Sequence, residues 1–432
     1  MPTQPVPPYQ LDETTKKNMK LNNIDGSFAV TSDNLAAPYL GLFALSLGAT
    51  PSQIGMLNAF PNLLGNILQI PYGIMADRLG RRRFLILLGS VWNRCSWLLM
   101  AIIPFLLPEA WQVPSVIIIA TLRIVIGNLG VPAWTAIQAE IIPRPLRGRY
   151  YARRNVILNA FGLITTFIAS QILRASFPKN YQILFVLAFI TGILSTLTFA
   201  QIAVKPMPRK AKQVNVQAKL KQRLGNFAKA IKSNKAFSAY CYSALVWNFG
   251  VSLAGPLVVV YYMQNLGGTE GFWAYVQGAS IIAGILCQRY WGRLLDQFGE
   301  KNIMVKAGVG AVLVPLLWYI APFAGFGLLI NFIGGFAWGG YNLAAFNLLL
   351  EITPEENRSL YVGVYNTLLG FATALGPLIG GILAEVIGLS NLFIISFVGR
   401  GIGLLLLSLS VDSSNHTPMR WRDLLSTHVR VR

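Results

Sequence analysis

Charge is what this chain has least of. Only 12% of its 432 residues are Asp, Glu, Lys or Arg, about half the roughly 25% typical of soluble domains. A surface turned to water on every side is therefore excluded. Histidine is almost missing: His416 and His428 both stand in the C-terminal tail, so no imidazole metal cluster or proton relay can form in the apolar segments. The three cysteines, Cys95, Cys241 and Cys287, fall inside apolar runs with no pairing pattern. A glycine–serine nucleophile elbow, zinc-ligand spacing and a phosphate loop are all lacking, so no enzyme, metal or cofactor is expected. The first twenty residues hold no hydrophobic signal core; polar and rich in proline, they read as a cytoplasmic tail.

What the chain has is apolar length. Hydrophobic residues make up 54% of it, and about 20 such residues in helix cross a hydrocarbon core roughly 30 Å thick. Twelve candidate spans begin near Asn23, Ser52, Phe84, Gln112, Asn155, Tyr181, Phe237, Gly271, Asn302, Gly325, Tyr361 and Ser390. The predicted fold is an all-α membrane protein of twelve transmembrane helices. A tail (1–22) precedes a six-helix bundle (23–204), a basic linker (205–236), a second six-helix bundle (237–411) and a tail (412–432). The net charge of +20 does not signal nucleic acid, because the basic residues cluster in short segments between apolar runs. Alternate loops carry them: Arg78 to Arg83, Arg144 to Arg154, and the linker with ten basic residues and no acidic one, while the intervening loops hold only Arg174 and Lys179. That asymmetry predicts both termini in the cytoplasm and the linker against anionic headgroups. Unpaired cysteines and short loops fit a bacterial inner (plasma) membrane.

The two halves repeat. Gly73, Asp77, Gly80 and Arg82 recur as Gly292, Asp296, Gly299 and Lys301, each 219 positions later. Glu140, Pro143, Arg147 and Tyr150 recur as Glu351, Pro354, Arg358 and Tyr361, and Pro38 on the first span has Pro256 on the seventh. Two signatures in the same order point to parallel repeats, an architecture of transporters with a midplane site between the halves.

The run Gly73 to Arg83 resembles the loop between helices two and three of the major facilitator superfamily, and Arg123 with Gly127 and Gly130 resembles that family's fourth-helix motif. The resemblance implies two pseudo-symmetric six-helix bundles. It also implies a conformational latch at Gly73, Asp77, Arg78, Gly80 and Arg81, with Asp296 and Gly299 as a weaker second copy. Helices one, four, seven and ten would line the pathway.

Charges inside spans are costly and face a cavity or a partner. Asp33 and Arg123 lie mid-depth, with Arg94 and Arg400 also deep. Asp33 and Arg123 are expected to pair in one state of a transport cycle, a proton or the substrate competing for Asp33; a permanent structural pair is the alternative. Candidate cavity residues are Asn34, Tyr39, Trp134, Gln138, Trp247, Asn248, Trp338, Tyr341 and Asn342, whose amides suit hydroxyls and whose rings suit apolar faces. Three functions stay open: alternating-access transport of a sugar- or glycoside-like solute, proton-coupled or facilitative; efflux of amphipathic drug-like compounds by proton antiport; and a non-transporting assembly protein on the same fold. The expected partners are a small solute, the lipid bilayer and protons, and the expected working unit is a monomer.

Overall fold

The computed structural model describes residues 12–79, 82–143, 146–203, 234–354, 358–411, 419 and 421–424. Among them are twelve helical rods. In the first half these are α1 (Glu13–Ala36, continued by Leu40–Ser46), α2 (Pro51–Leu79), α3 (Arg82–Leu106), α4 (Glu109–Gly127, continued by Val131–Ile141), α5 (Arg147–Ile172) and α6 (Lys179–Ala200). The second half holds α7 (Lys235–Ala254, continued by Val258–Gln264), α8 (Glu270–Phe298), α9 (Glu300–Tyr319), α10 (Phe326–Ile352), α11 (Arg358–Ile387) and α12 (Leu389–Ser410). Most of the basic linker and of the C-terminal tail, and half of the N-terminal tail, lie outside the described residues.

The repeat read from the sequence is a repeat in space. α1 packs on α6 and α5, α3 on α6 and α4, and α2 on α4; six helices later α7 packs on α12 and α11, α9 on α12 and α10, and α8 on α10. Pro38 and Pro256 do the same local work. Each sits in a single 3-10 turn, Ala37–Tyr39 and Gly255–Leu257, that breaks its rod, because proline lacks the N–H that an α-helix interior needs. The halves meet where α2 crosses α11 and α5 crosses α8.

Eight rods are long and apolar enough to span a bilayer by composition. α1, α2, α8 and α10 fall below that measure. α2 and α8 each supply one side of the seam between halves, opposite α11 and α5, and α1 carries the polar centre described below. α1 begins at Glu13, ten residues before its apolar run. Tertiary bonds extend it: Asn18 exchanges hydrogen bonds with the backbone of Ala203, and Asn22 exchanges them with Gln138 and donates to the Tyr150 hydroxyl.

Buried apolar side chains form three clusters. At the end remote from the termini (the far end), one cluster runs through both halves, joining Tyr39, Phe43, Trp97 and Phe185 to Leu253, Tyr262, Trp273 and Trp318. Towards the terminal end each half keeps its own cluster, around Ile86, Ile137 and Tyr150 in the first and around Phe237, Trp291 and Leu348 in the second. The halves share a core at the far end and have separate cores at the other.

Candidate functional site

Two turns of polar side chains on α1 organise the first half. Arg94 of α3 donates from Nη1 to Asp33 Oδ1 at 2.9 Å and to Ser32 Oγ at 3.2 Å. Ser32 in turn donates to the Ala188 carbonyl at 2.6 Å. The guanidinium reaches this place because position 192 on α6 is glycine; a Cβ there would collide with the Arg94 side chain. Arg94 is 10% accessible and Asp33 53% accessible. The acid is thus presented outwards with the cation packed behind it. Two turns nearer the terminal end of the same helix Asp25 is buried and accepts a 2.6 Å bond from Ser195.

Arg123 of α4 lies over the Trp97 ring, its Cζ 4.3 Å from the centroid, and donates to Asn93 Oδ1 at 3.4 Å. In this conformation, then, Asp33 bonds Arg94 rather than the expected Arg123. Both guanidiniums are buried, and the half-exposed carboxylate bonds one of them. Arg94 was visible in the sequence as a deep charge, but its partner depends on helix rotation and on Gly192, which hydropathy does not report.

The remaining candidates divide. Trp247, Trp338 and Tyr341 come together: Trp247 stacks on Tyr341 at 4.4 Å with planes 15° apart, and Trp338 meets both rings edge-on. Tyr240 and Tyr365, which the sequence reading missed, stack beside them at 5.3 Å. Asn342 is exposed, and Trp134 is half-buried at the edge of the first-half cluster. Tyr39 and Gln138 are buried, Tyr39 in the far-end core and Gln138 in a reciprocal pair with Asn22. Asn34 and Asn248 donate their amides to the carbonyls of Val30 and Ala244, one turn back on their own helices.

Of the latch residues, Gly73, Asp77 and Arg78 stand in the last turns of α2, while Gly80 and Arg81 lie outside the described residues. In the second copy Asp296 is exposed near the end of α8. Gly299 turns the chain into α9 at φ +78°, a conformation that favours glycine. The two repeated signatures touch in the first half, where Arg82 of one pairs with Glu140 of the other. No cluster of potential metal ligands occurs among the described residues.

The sequence profile of the Major Facilitator Superfamily matches residues 26–253 and 244–423. The chain belongs to the major facilitator superfamily. It has the fold of that family. It is 24% identical over 400 residues to the multidrug resistance protein MdtG of Enterobacter lignolyticus, covering 88% of this chain and 89% of that one. It is 29% identical over 188 residues to a homologue of the multi-drug resistance efflux pump PmrA from Lactococcus lactis subsp. lactis, covering 41% of this chain and 44% of that one. The chain thus spans less than half the length of that relative. Among solved structures, a mutant of the nucleoside transporter NupG superposes with a TM-score of 0.72 at 12% identity, covering 91% of this chain and 100% of that one. A bacterial homologue of the iron transporter ferroportin in its inward-facing state gives 0.70 at 11% identity, covering 91% and 98%. At such identities the likeness is one of fold.

Proposed function

We propose that this superfamily member moves an amphipathic, ring-bearing solute by alternating access, with Asp33 as the group for which solute and proton compete. The observation that carries the reading is the half-exposed Asp33 carboxylate, held from behind by Arg94. One oxygen is occupied by the guanidinium while the side chain stays open to an incoming partner. A cationic or donor-bearing solute, or a proton, can take that side, and either one changes how strongly the acid holds α3. A ligand shifts a conformational equilibrium only through such a difference between states. Arg123 would receive Asp33 in the opposite state. Asp77 and its neighbours would serve as the latch at the terminal end.

Substrate class follows from what the candidate groups have left to offer. The ring faces around Trp338 suit a flat or apolar solute surface. The Asn34 and Asn248 amides already bond their own helices, which takes donors away from a polyol. The multidrug naming of MdtG and of PmrA points the same way. A glycoside is the second reading, because Asn342 is exposed beside the stacked rings. The basic terminal loops would place that end in the cytoplasm of a bacterial cell, and the fused far-end core would then make this the inward-facing state.

Purified protein in liposomes, offered cationic dyes in parallel with labelled sugars and glycosides, tests the assignment. Dye movement that unlabelled dye competes supports it. Sugar or glycoside flux without dye flux would replace it with the second reading, and no flux of any class from folded protein would favour an assembly role.

A further inference from the structure

Between described residues, the hydrogen bonds that cross from one half to the other gather at the far end, and carboxylates of the second half receive most of them. Glu270, in the first turn of α8, accepts from Ser46 Oγ at 2.8 Å with one oxygen and from Asn180 Nδ2 at 2.6 Å with the other. Glu385, near the end of α11, accepts the backbone N–H of Ser52 at 3.0 Å. That amide is one of the first-turn donors that a helix cannot satisfy internally. Thr50 and Gln53 bond each other reciprocally and cap part of the same turn, and the opposite half supplies the cap for Ser52. Tyr275 of α8 adds a third tie, its hydroxyl accepting from Gln171 at 2.7 Å and from Arg174 at 3.3 Å.

The backbones at this seam are close enough to hold the donors and acceptors in register. Gly55 of α2 lies against the Pro377 carbonyl of α11, and Gly381 of α11 against Pro51 and Ser52. A pocket of about 540 Å³ opens beside the contact between Arg174, Met263, Phe272 and Tyr275, and Glu270 lines it. Water from the far side therefore reaches the bonded carboxylate.

We propose that Glu270 and Glu385 are the clasps of the far gate, and that their grip on first-half donors sets the balance between far-closed and far-open states. This rests on the alternating-access reading. The chemistry suits a contact that must break in every cycle. Charge-assisted bonds from neutral donors are stronger than neutral pairs, yet opening strands no buried cation, as breaking a buried ion pair would. Among the described residues neither carboxylate is ion-paired. The grip is also one-sided: the acids belong to the second half and the donors to the first, so releasing two side chains leaves only the third tie, at the neutral Tyr275 hydroxyl.

The test needs no substrate. Nitroxide labels at Ala110→Cys and Phe323→Cys, exposed far-end positions in opposite halves, report the opening of the gate in a background lacking Cys95, Cys241 and Cys287. The parent protein should show a dominant short distance and a minor long one. Glu385→Ala and Glu270→Ala should each raise the long-to-short ratio by about tenfold, the scale of one charge-assisted bond. The corresponding Gln variants should fall in between, and Glu109→Gln, an exposed acid at the same end, should change nothing. Glu385 is exposed, so its variants remain informative even where Glu270→Ala fails to fold. Unmoved distances in both Ala variants, with a parent that populates two states, would overturn the clasp alone. A parent fixed at one distance under every condition would overturn alternating access as well.

Discussion

At the scale of single residues, Arg94 carries more of the structure than its place in the sequence suggests. It joins α1, α3 and α6 through Asp33, Ser32 and the space left by Gly192. Arg94→Ala should cost about 1–3 kcal/mol of stability, since it removes a charged hydrogen bond and buried packing while Asp33 can still turn to water. Thermal melting in detergent measures that loss, and an unchanged melting temperature would show the pair to be incidental. Arg94→Lys keeps the charge without the planar fork, so it should fold normally but lower the rate of transport. Asp33 and Arg123 were legible from sequence because the cost of burying charge marks such residues out. Which arginine holds Asp33 was not legible. It depends on a glycine three helices further along the chain than Arg94.

At the scale of elements, the breaks in α1 and α7 could be read from Pro38 and Pro256, since proline forces the same local answer in any context. The start of α1 could not. Residues Glu13 to Asn22 look like a polar tail to a hydropathy scale, and only the bonds of Asn18 and Asn22 to distant helices make them part of the rod. Three of the aromatic candidates converged, whereas Tyr39 and Gln138 turned inwards, because residue type does not reveal helix rotation. Glycines at helix contacts separate two kinds of interface. Gly335 of α10 lies against the Ser280 backbone of α8 inside the second half, so Gly335→Val should destabilise the fold by about 1–3 kcal/mol through overpacking. Gly55 faces α11 across the seam. Gly55→Val should leave the melting temperature within a few degrees and instead make the far end more accessible to a thiol reagent at an introduced Ala110→Cys. Equal destabilisation by both substitutions would mean that the seam is as permanent as the interior of a half.

At the scale of the whole molecule, the repeat, the fused far-end core and the separate terminal-end cores describe two matching halves joined at one end. Packed interfaces of this kind switch between discrete arrangements because close-packed cores do not deform smoothly. The number of spans and the duplication were open to sequence reading, because bilayer thickness fixes helix length and an internal repeat leaves its spacing in the chain. Which end is fused was not, since the two halves repeat the same pattern and neither end is marked in the chain as the closed one. The central claim is that Asp33 links a proton to solute movement. The direct measurement is flux of a cationic dye in proteoliposomes with and without an imposed pH gradient, for the parent protein and for Asp33→Asn. The parent should respond to the gradient at least about tenfold more strongly than the variant, a difference of roughly 1.4 kcal/mol, with the variant folded and exchanging dye independently of pH. An identical gradient response in the two proteins would contradict the coupling and return Asp33 to a structural pair with Arg94.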